Sequence, residues 1–185
     1  MAVVIAMLRG VNVGGYQKIQ MEALRTLCGS LGLRDAQTYI QSGNVVFRED
    51  SEEPVTLARR LEDGIEHSFG FRPNVMVRTP SELRNVIAKN PFADRPEIDP
   101  SRLLVSFMAS APAPQARNKV LAMPCDPEEL RIHGRELYVY YPNGMARPKI
   151  SMASIEKVLQ RSATGRNWNT VLKLMAMAEI LEASR

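Results

Sequence analysis

Several things are scarce in this chain, and each scarcity removes a class of function. It has two cysteines, Cys28 and Cys125, far apart in sequence. A pair so placed does not make a disulfide framework, so a reducing, cytoplasmic setting is expected. Cys28 falls on an apolar helical stripe, where a buried thiol packs as a small hydrophobe. Cys125, in "MPCDPEE", has no base near it in sequence. Only two histidines occur, His67 and His133, and no Cys/His/Asp grouping has ligand spacing, so no metal site and no cofactor are expected. No apolar run nears the ~20 residues of a bilayer span. The opening "MAVVIAMLRG" is apolar only briefly and lacks a basic segment before that run, so it reads as a buried strand and not a signal peptide. Aromatic residues are 6% of the chain and tryptophan occurs once. A sheet face built for stacking bases is therefore poorly supplied.

What is present is an ordinary globular composition, 45% hydrophobic and 24% charged, with a net charge of +4. The charge is uneven. Arg147, Lys149, Lys157, Arg161, Arg166 and Lys173 cluster against Glu156, and Arg9, Lys18, Arg25 and Arg34 against Glu22. This pattern suits an anionic ligand, although charged faces are often only solvated.

"VVIAML" reads as a buried strand. Met21, Leu24, Leu27, Cys28 and Leu31 recur at helical spacing, with Gly32 placed to end that helix. "TYIQSGNVVF" reads as two strands about a two-residue turn at Ser42-Gly43. Ser51 or Glu53 caps a second helix with Pro54 in its first turn and Val55, Ala58, Leu61, Ile65 and Phe69 inward. A strand follows at 74–77. The order β-α-β-β-α-β is that of a ferredoxin-like plait, an antiparallel sheet with both helices on one face. Thr79, Pro80 and Glu82 form the signature of a capping box at the start of another helix.

After the proline-rich "FADRPEIDP" the plan restarts. A strand is expected at 103–108, a short helix at 114–122, two strands about Gly134-Arg135, a helix near 151–160 and a last one from Trp168 to Ala183. The order is β-α-β-β-α-α. The fold class is α+β: two tandem ferredoxin-like halves with antiparallel sheets, 1–92 and 93–185, the second closing on an extra helix.

Three stretches are polar beyond what packing asks. In "LRGVNVGGYQK", Gly14 and Gly15 can take positive φ and turn their N–H groups to an anion, with Arg9 and Lys18 adding charge and Asn12 bonding the turn. The loop fits neither dinucleotide nor P-loop patterns. In "QSGN", Gln41, Ser42 and Asn44 lie at the end of the first hairpin. In "ATGRNWNT", Thr164 or Asn167 can cap the last helix, while Arg166, Asn167, Trp168 and Asn169 gather donors about one aromatic ring. Each stretch also has a purely structural reading, and no acid–base pair emerges.

The motifs "LRGVNVGG", "YIQSGNVVF", "ELYVYYP" and "TGRNWNT" together resemble the bacterial domain-of-unknown-function family DUF1697. That resemblance implies a pair of α-β plaits and no established activity, so no catalytic residue carries over. Relatives often have His, Asn or Arg where Tyr16 stands.

Three functions follow as expectations. The first is a module binding nucleic acid or another polyanion in the cleft between halves, although "NVVFRED" lacks the paired aromatics of RNA-recognition domains. The second is an enzyme or sensor for a small phosphorylated or nucleotide ligand. The third is a structural or partner-binding protein. Candidate ligand residues are Arg9, Asn12, Gly14, Gly15, Lys18, Gln41, Ser42, Asn44, Lys149, Arg166, Asn167, Trp168 and Asn169. No membrane partner is expected, and a monomer is slightly favoured over an oligomer.

Overall fold

The first hydrophobic run is buried along both of its edges, and the sheet forms around it. A computed structural model describes residues 1–50 and 53–184, leaving Ser51, one of the two expected caps, outside the described residues. Strand β1 (Ala2–Leu8) is followed by α1 (Met21–Ser30), β2 (Arg34–Tyr39), β3 (Asn44–Glu49), α2 (Pro54–Phe69) and β4 (Val75–Arg78). The strands lie antiparallel in the order β2-β3-β1-β4. Val4, Ala6 and Leu8 of β1 pack with Leu24, Leu27 and Cys28 of α1 and with Leu57, Leu61 and Ile65 of α2. Val3, Ile5 and Met7 point to the opposite face and are buried as well. That is why the run is continuous and does not alternate. Val55 departs from expectation: it is 65% exposed, and Leu57 takes its place. The inward stripe of α2 steps by four from Leu57, which leaves Val55 on the outer side.

The second half repeats this plan in full. Strand β5 (Leu103–Met108), helix α4 (Pro114–Leu121), β6 (Glu129–His133), β7 (Glu136–Tyr140), α5 (Met152–Leu159) and β8 (Ala163–Asn167) form an antiparallel sheet of order β6-β7-β5-β8. Helix α6 (Trp168–Ala183) follows. The expected β-α-β-β-α-α order omitted β8. Its sequence "ATGRN" has one aliphatic residue, too little for a strand signal, yet it pairs along β5 from Leu104↔Asn167 to Met108↔Ala163. Arg166 therefore belongs to a strand, not to a helix start.

Between the halves runs α3 (Pro80–Ala88), opened by the expected capping box: Thr79 N–H donates to Glu82 Oε2 (2.9 Å) and Glu82 N–H to Thr79 Oγ1 (3.1 Å). Two compact units result, Met1–Arg84 with Lys173–Arg185, and Asn85–Leu172. In the first, the Arg48 guanidinium of β3 donates to the carbonyls of Leu181 (2.6 Å) and Ser184 at the end of α6. Arg84 faces Glu179 and Glu182 there, at 3.6 and 3.5 Å. In the second, the Tyr138 hydroxyl of β7 donates to the Val86 carbonyl of α3 (2.9 Å). These bonds place the C-terminal end of α6 beside β3 and α3 beside β7.

The fourth strands correspond residue by residue. Ile5 pairs with Arg78 and Val105 with Arg166, and both arginines are buried. Thr79 and Asn167 then cap the following helices in the same way, Asn167 Oδ1 accepting from Thr170 N–H (2.9 Å).

Candidate functional site

The glycine loop is a small hairpin closed by backbone hydrogen bonds. Tyr16 N–H donates to Val13 O (3.1 Å) across Gly14 (φ 58°) and Gly15 (φ 82°), a turn with two left-handed central residues that glycine adopts without strain. Asn12 N–H donates to Gln17 O (3.1 Å) one step below. Asn12 then spends its whole amide on the fold. Its Nδ2 donates to Ile19 O (2.9 Å) and Gln41 O (2.7 Å), and its Oδ1 accepts from Ile19 N–H (2.9 Å). The hairpin projects Val13 and Tyr16 into solvent, 64% and 80% exposed.

The β2–β3 turn lies against it. Tyr39 pairs with Asn44, so four residues, Ile40 to Gly43, make the connection in place of the expected two. Ile40 (φ 48°) and Gly43 (φ 72°) each take a left-handed conformation, which a two-residue turn at Ser42-Gly43 would not require of Ile40. Asn44 is fully buried and donates to Tyr39 O (3.1 Å) and Ser42 Oγ (2.9 Å), holding the turn closed. Leu8 N–H donates to Gly43 O (2.8 Å), which ties this turn to the start of the glycine loop.

Between hairpin and turn lies an open cavity of about 570 Å³, lined by Asn12, Gly15, Lys18, Ile19, Gln20 and Gln41. Asn12, Gly15, Lys18 and Gln41 come from two motifs singled out in the sequence, and the fold brings them together. Ile19 and Gln20 carried no signal beyond adjacency. Arg9, Gly14, Ser42 and Asn44 do not line it. Lys18 is exposed and makes no hydrogen bond or ion pair among the described residues. Gln20 is the N-cap of α1, in extended conformation and without a side-chain cap bond, so the positive end of the helix adjoins the cavity.

A family model described as "Protein of unknown function (DUF1697)" matches residues 1–138, which takes in this whole site and most of the second sheet. The chain belongs to that family. Among solved structures it is similar to the conserved bacterial protein SP0830 from Streptococcus pneumoniae, at 22% identity and a TM-score of 0.74, over 97% of this chain and 99% of that one. At that identity the likeness speaks for the fold. No curated protein matches the sequence.

In this DUF1697 protein the candidates of the second half have separate duties. Arg166 is buried and donates to Gly165 O (2.8 Å), and burial lowers its pKa to about 10, so it keeps its charge at neutral pH. Asn167 is the cap of α6. Lys149 gives its backbone N–H to Glu128 Oε1 (3.1 Å), its side chain lying outside. Asn169 is exposed, and Trp168 lines a second, smaller cavity of about 340 Å³. Sequence reading missed the rest of that wall, because Phe92 and Arg95 sit in "FADRPEIDP", a stretch that reads as a linker.

Among the described residues no group of three or more His, Cys, Asp or Glu side chains could hold a metal ion. His67 and His133 are exposed on separate elements. Burial pushes the Cys28 thiol up to about 12, and burial followed by the charges of Glu128 and Asp126 raises Cys125. Neither is an activated nucleophile. No described helix is long and apolar enough to cross a membrane.

Proposed function

We propose that this protein binds single-stranded nucleic acid at the glycine hairpin of its first unit. The observation that carries this is the pairing of an 80% exposed Tyr16 on a hydrogen-bonded turn with the open cavity beside it, where Lys18 has no partner among the described residues. A base stacks on the Tyr16 ring, Lys18 and the α1 N-terminus meet backbone phosphate, and the Gln20 and Gln41 amides meet base edges or sugar. The sheet-face mode of RNA-recognition domains is closed to both plaits, since Ile5, Met7, Val105, Phe107 and Tyr138 are each 0% exposed. A polymer fits better than a compact phosphorylated metabolite. One lysine in an open cavity is a weak clamp for a doubly charged group, whereas a strand spreads its charge and adds stacking.

The test is fluorescence anisotropy of a labelled oligothymidylate and an oligouridylate at two salt concentrations. Tyr16→Ala should weaken binding of every sequence by ~1–3 kcal/mol. Lys18→Ala should weaken it and lower the salt slope by roughly 0.7. Binding that neither substitution alters, or none at low salt, overturns the proposal. Capture of a protein by Val13 and Tyr16 would then be the reading to pursue.

A further inference from the structure

The cavity beside Trp168 is built unlike the one beside Lys18, and the difference defines what it takes. Its volume is about 340 Å³ and its wall includes Ile87, Phe92, Ile98, Leu103, Trp168 and Leu172, with Asn90 and Arg95 as the polar members. All of these lie in the second unit. The volume falls near the low end of the range for small-molecule sites, roughly 300–1,000 Å³.

The charge here is already spent. The Arg95 guanidinium is bound by Glu97 Oε1 (2.8 Å) and Glu129 Oε1 (2.6 Å). It also lies over the rings of Phe92 and Tyr140, 5.8 and 5.3 Å from their centroids. Arg131 lies over Phe92 too, at 5.6 Å. The Phe92 ring is thus engaged by two cations, and the one cation of the wall is balanced by two carboxylates. An anion gains little from such a site, and a carboxylate or phosphate would approach Glu97 and Glu129.

Two donors, by contrast, remain without acceptors. Asn90 Oδ1 accepts from Phe92 N–H (3.0 Å), which fixes that amide with its oxygen toward the backbone and leaves Nδ2 with no partner among the described residues. The Trp168 indole N–H likewise has no acceptor among them, and the residue is only half-buried. Aliphatic wall, one uncommitted aromatic ring and two uncommitted donors describe a pocket for a flat molecule whose edge accepts hydrogen bonds.

We infer that this cavity binds an uncharged planar heterocycle bearing carbonyl or ring-nitrogen acceptors, of the size of a free nucleobase. The ring stacks against Trp168, the acceptors face Asn90 Nδ2 and the indole N–H, and the aliphatic residues exclude water from its other edges. This site is independent of the hairpin of the first unit.

Trp168 is the chain's only tryptophan, so emission excited at the red edge of the indole band, where the five tyrosines do not absorb, reports on the surroundings of Trp168. The probes are uracil, hypoxanthine and nicotinamide, with uridine monophosphate as the charged counterpart and benzene as a ring without acceptors. A saturable change in Trp168 emission is expected with at least one neutral heterocycle, weaker for benzene, and weaker for uridine monophosphate than for uracil. Asn90→Asp is the deciding variant. It keeps an oxygen for Phe92 N–H but removes the amide donor, so folding is retained while affinity should fall about tenfold or more. A melting temperature within a degree or two of the unsubstituted protein certifies that comparison. If that variant does not fold, Trp168→Phe with heat-shift detection takes its place, and the expected result is loss of ligand-induced stabilisation. No saturable response to any neutral probe, an affinity unchanged in Asn90→Asp, or a tighter complex with uridine monophosphate than with uracil each overturns the inference.

Discussion

Replacing Gly43 by alanine tests how the two motifs of the first site are held together. Gly43 has φ +72°, and a Cβ built there would lie 2.8 Å from Leu8 Cβ and 3.3 Å from Val11 Cβ. Both neighbours are atoms fixed directly to the main chain, and Leu8 and Val11 are buried at 0% and 1% exposure. Neither can rotate away, so the β2–β3 turn or the start of the glycine loop has to move. The left-handed conformation alone costs an L-residue about 1–2 kcal/mol. Overpacking of this kind adds typically 1–3 kcal/mol. Gly32 supplies the control: its φ is +78° with nothing within 4 Å, so Gly32→Ala incurs the conformational cost only. The gain from a stiffer unfolded chain is common to both and cancels in the difference.

In scanning calorimetry, Gly43→Ala should lower the melting temperature by roughly 4–20 °C and Gly32→Ala by about 2–8 °C, the overpacking making the first loss the larger by roughly 2–12 °C, taking 2–4 °C per kcal/mol at this chain length. Because Leu8 N–H donates to Gly43 O, the same substitution should also weaken oligonucleotide binding at the hairpin. Equal losses for the two alanines would refute the claim that close backbone contact between the motifs is what demands glycine at Gly43.

Thr79→Ala removes one side of the α3 capping box and should cost about 1 kcal/mol by chemical denaturation, with Thr79→Ser near neutral. Tyr138→Phe leaves the Val86 carbonyl without its buried donor and should cost roughly 1–2 kcal/mol by the same measurement. Under native conditions at pH 8 a thiol reagent should modify Cys125 alone, with Cys28 reacting only on denaturation; mass spectrometry after quenching reads this directly. Alkaline pH should destabilise the protein. Burial raises Cys28 from 9.0 to about 12 and Tyr141 from 10.0 to about 12, so the folded state holds protons that the unfolded state releases. Their contribution is intact below pH 9 and is lost as pH rises from there through 12, and Cys28→Ala should flatten the early part of that decline.

Where a segment carried its own periodicity or stop signal, the sequence was legible. The capping box at Thr79, the left-handed Gly32 after α1 and the two-residue turn at Gly134-Arg135 all stand where local chemistry puts them. β8 was illegible because its strand character comes from the partner. Thr164, Gly165 and Arg166 have little strand preference of their own, and only pairing to the central β5 makes "ATGRN" extended. The turn after Tyr39 misled for a related reason: Ser42-Gly43 carries a turn signal, but the register is set by Asn44, whose buried amide closes a longer loop. For the candidate site, residue types exposed the polar stretches, and only tertiary contacts sorted them. Asn12, Asn44 and Asn167 are spent on the fold, whereas Lys18 and the Trp168 indole have no hydrogen-bond partner among the described residues.

The repetition of the plait sharpens that sorting. With Ile5 matched to Val105 and Arg78 to Arg166, the halves agree in strand order, buried arginine and helix cap. Residues that serve only the plait should recur at matched positions, and those that depart mark what each half has acquired separately. The connection after the first strand is one departure. It runs from Arg9 to Gln20 and carries the hairpin in the first half, but only from Ala109 to Ala113 in the second. The residue after the helix cap is another: Pro80, the ordinary opening of a helix, is matched by Trp168. Proline there serves helix initiation alone. A tryptophan at the same place gains nothing for initiation, and its ring lines a cavity instead. Both proposed sites therefore lie at departures from the repeat, where binding chemistry can be added without disturbing the residues that serve the plait.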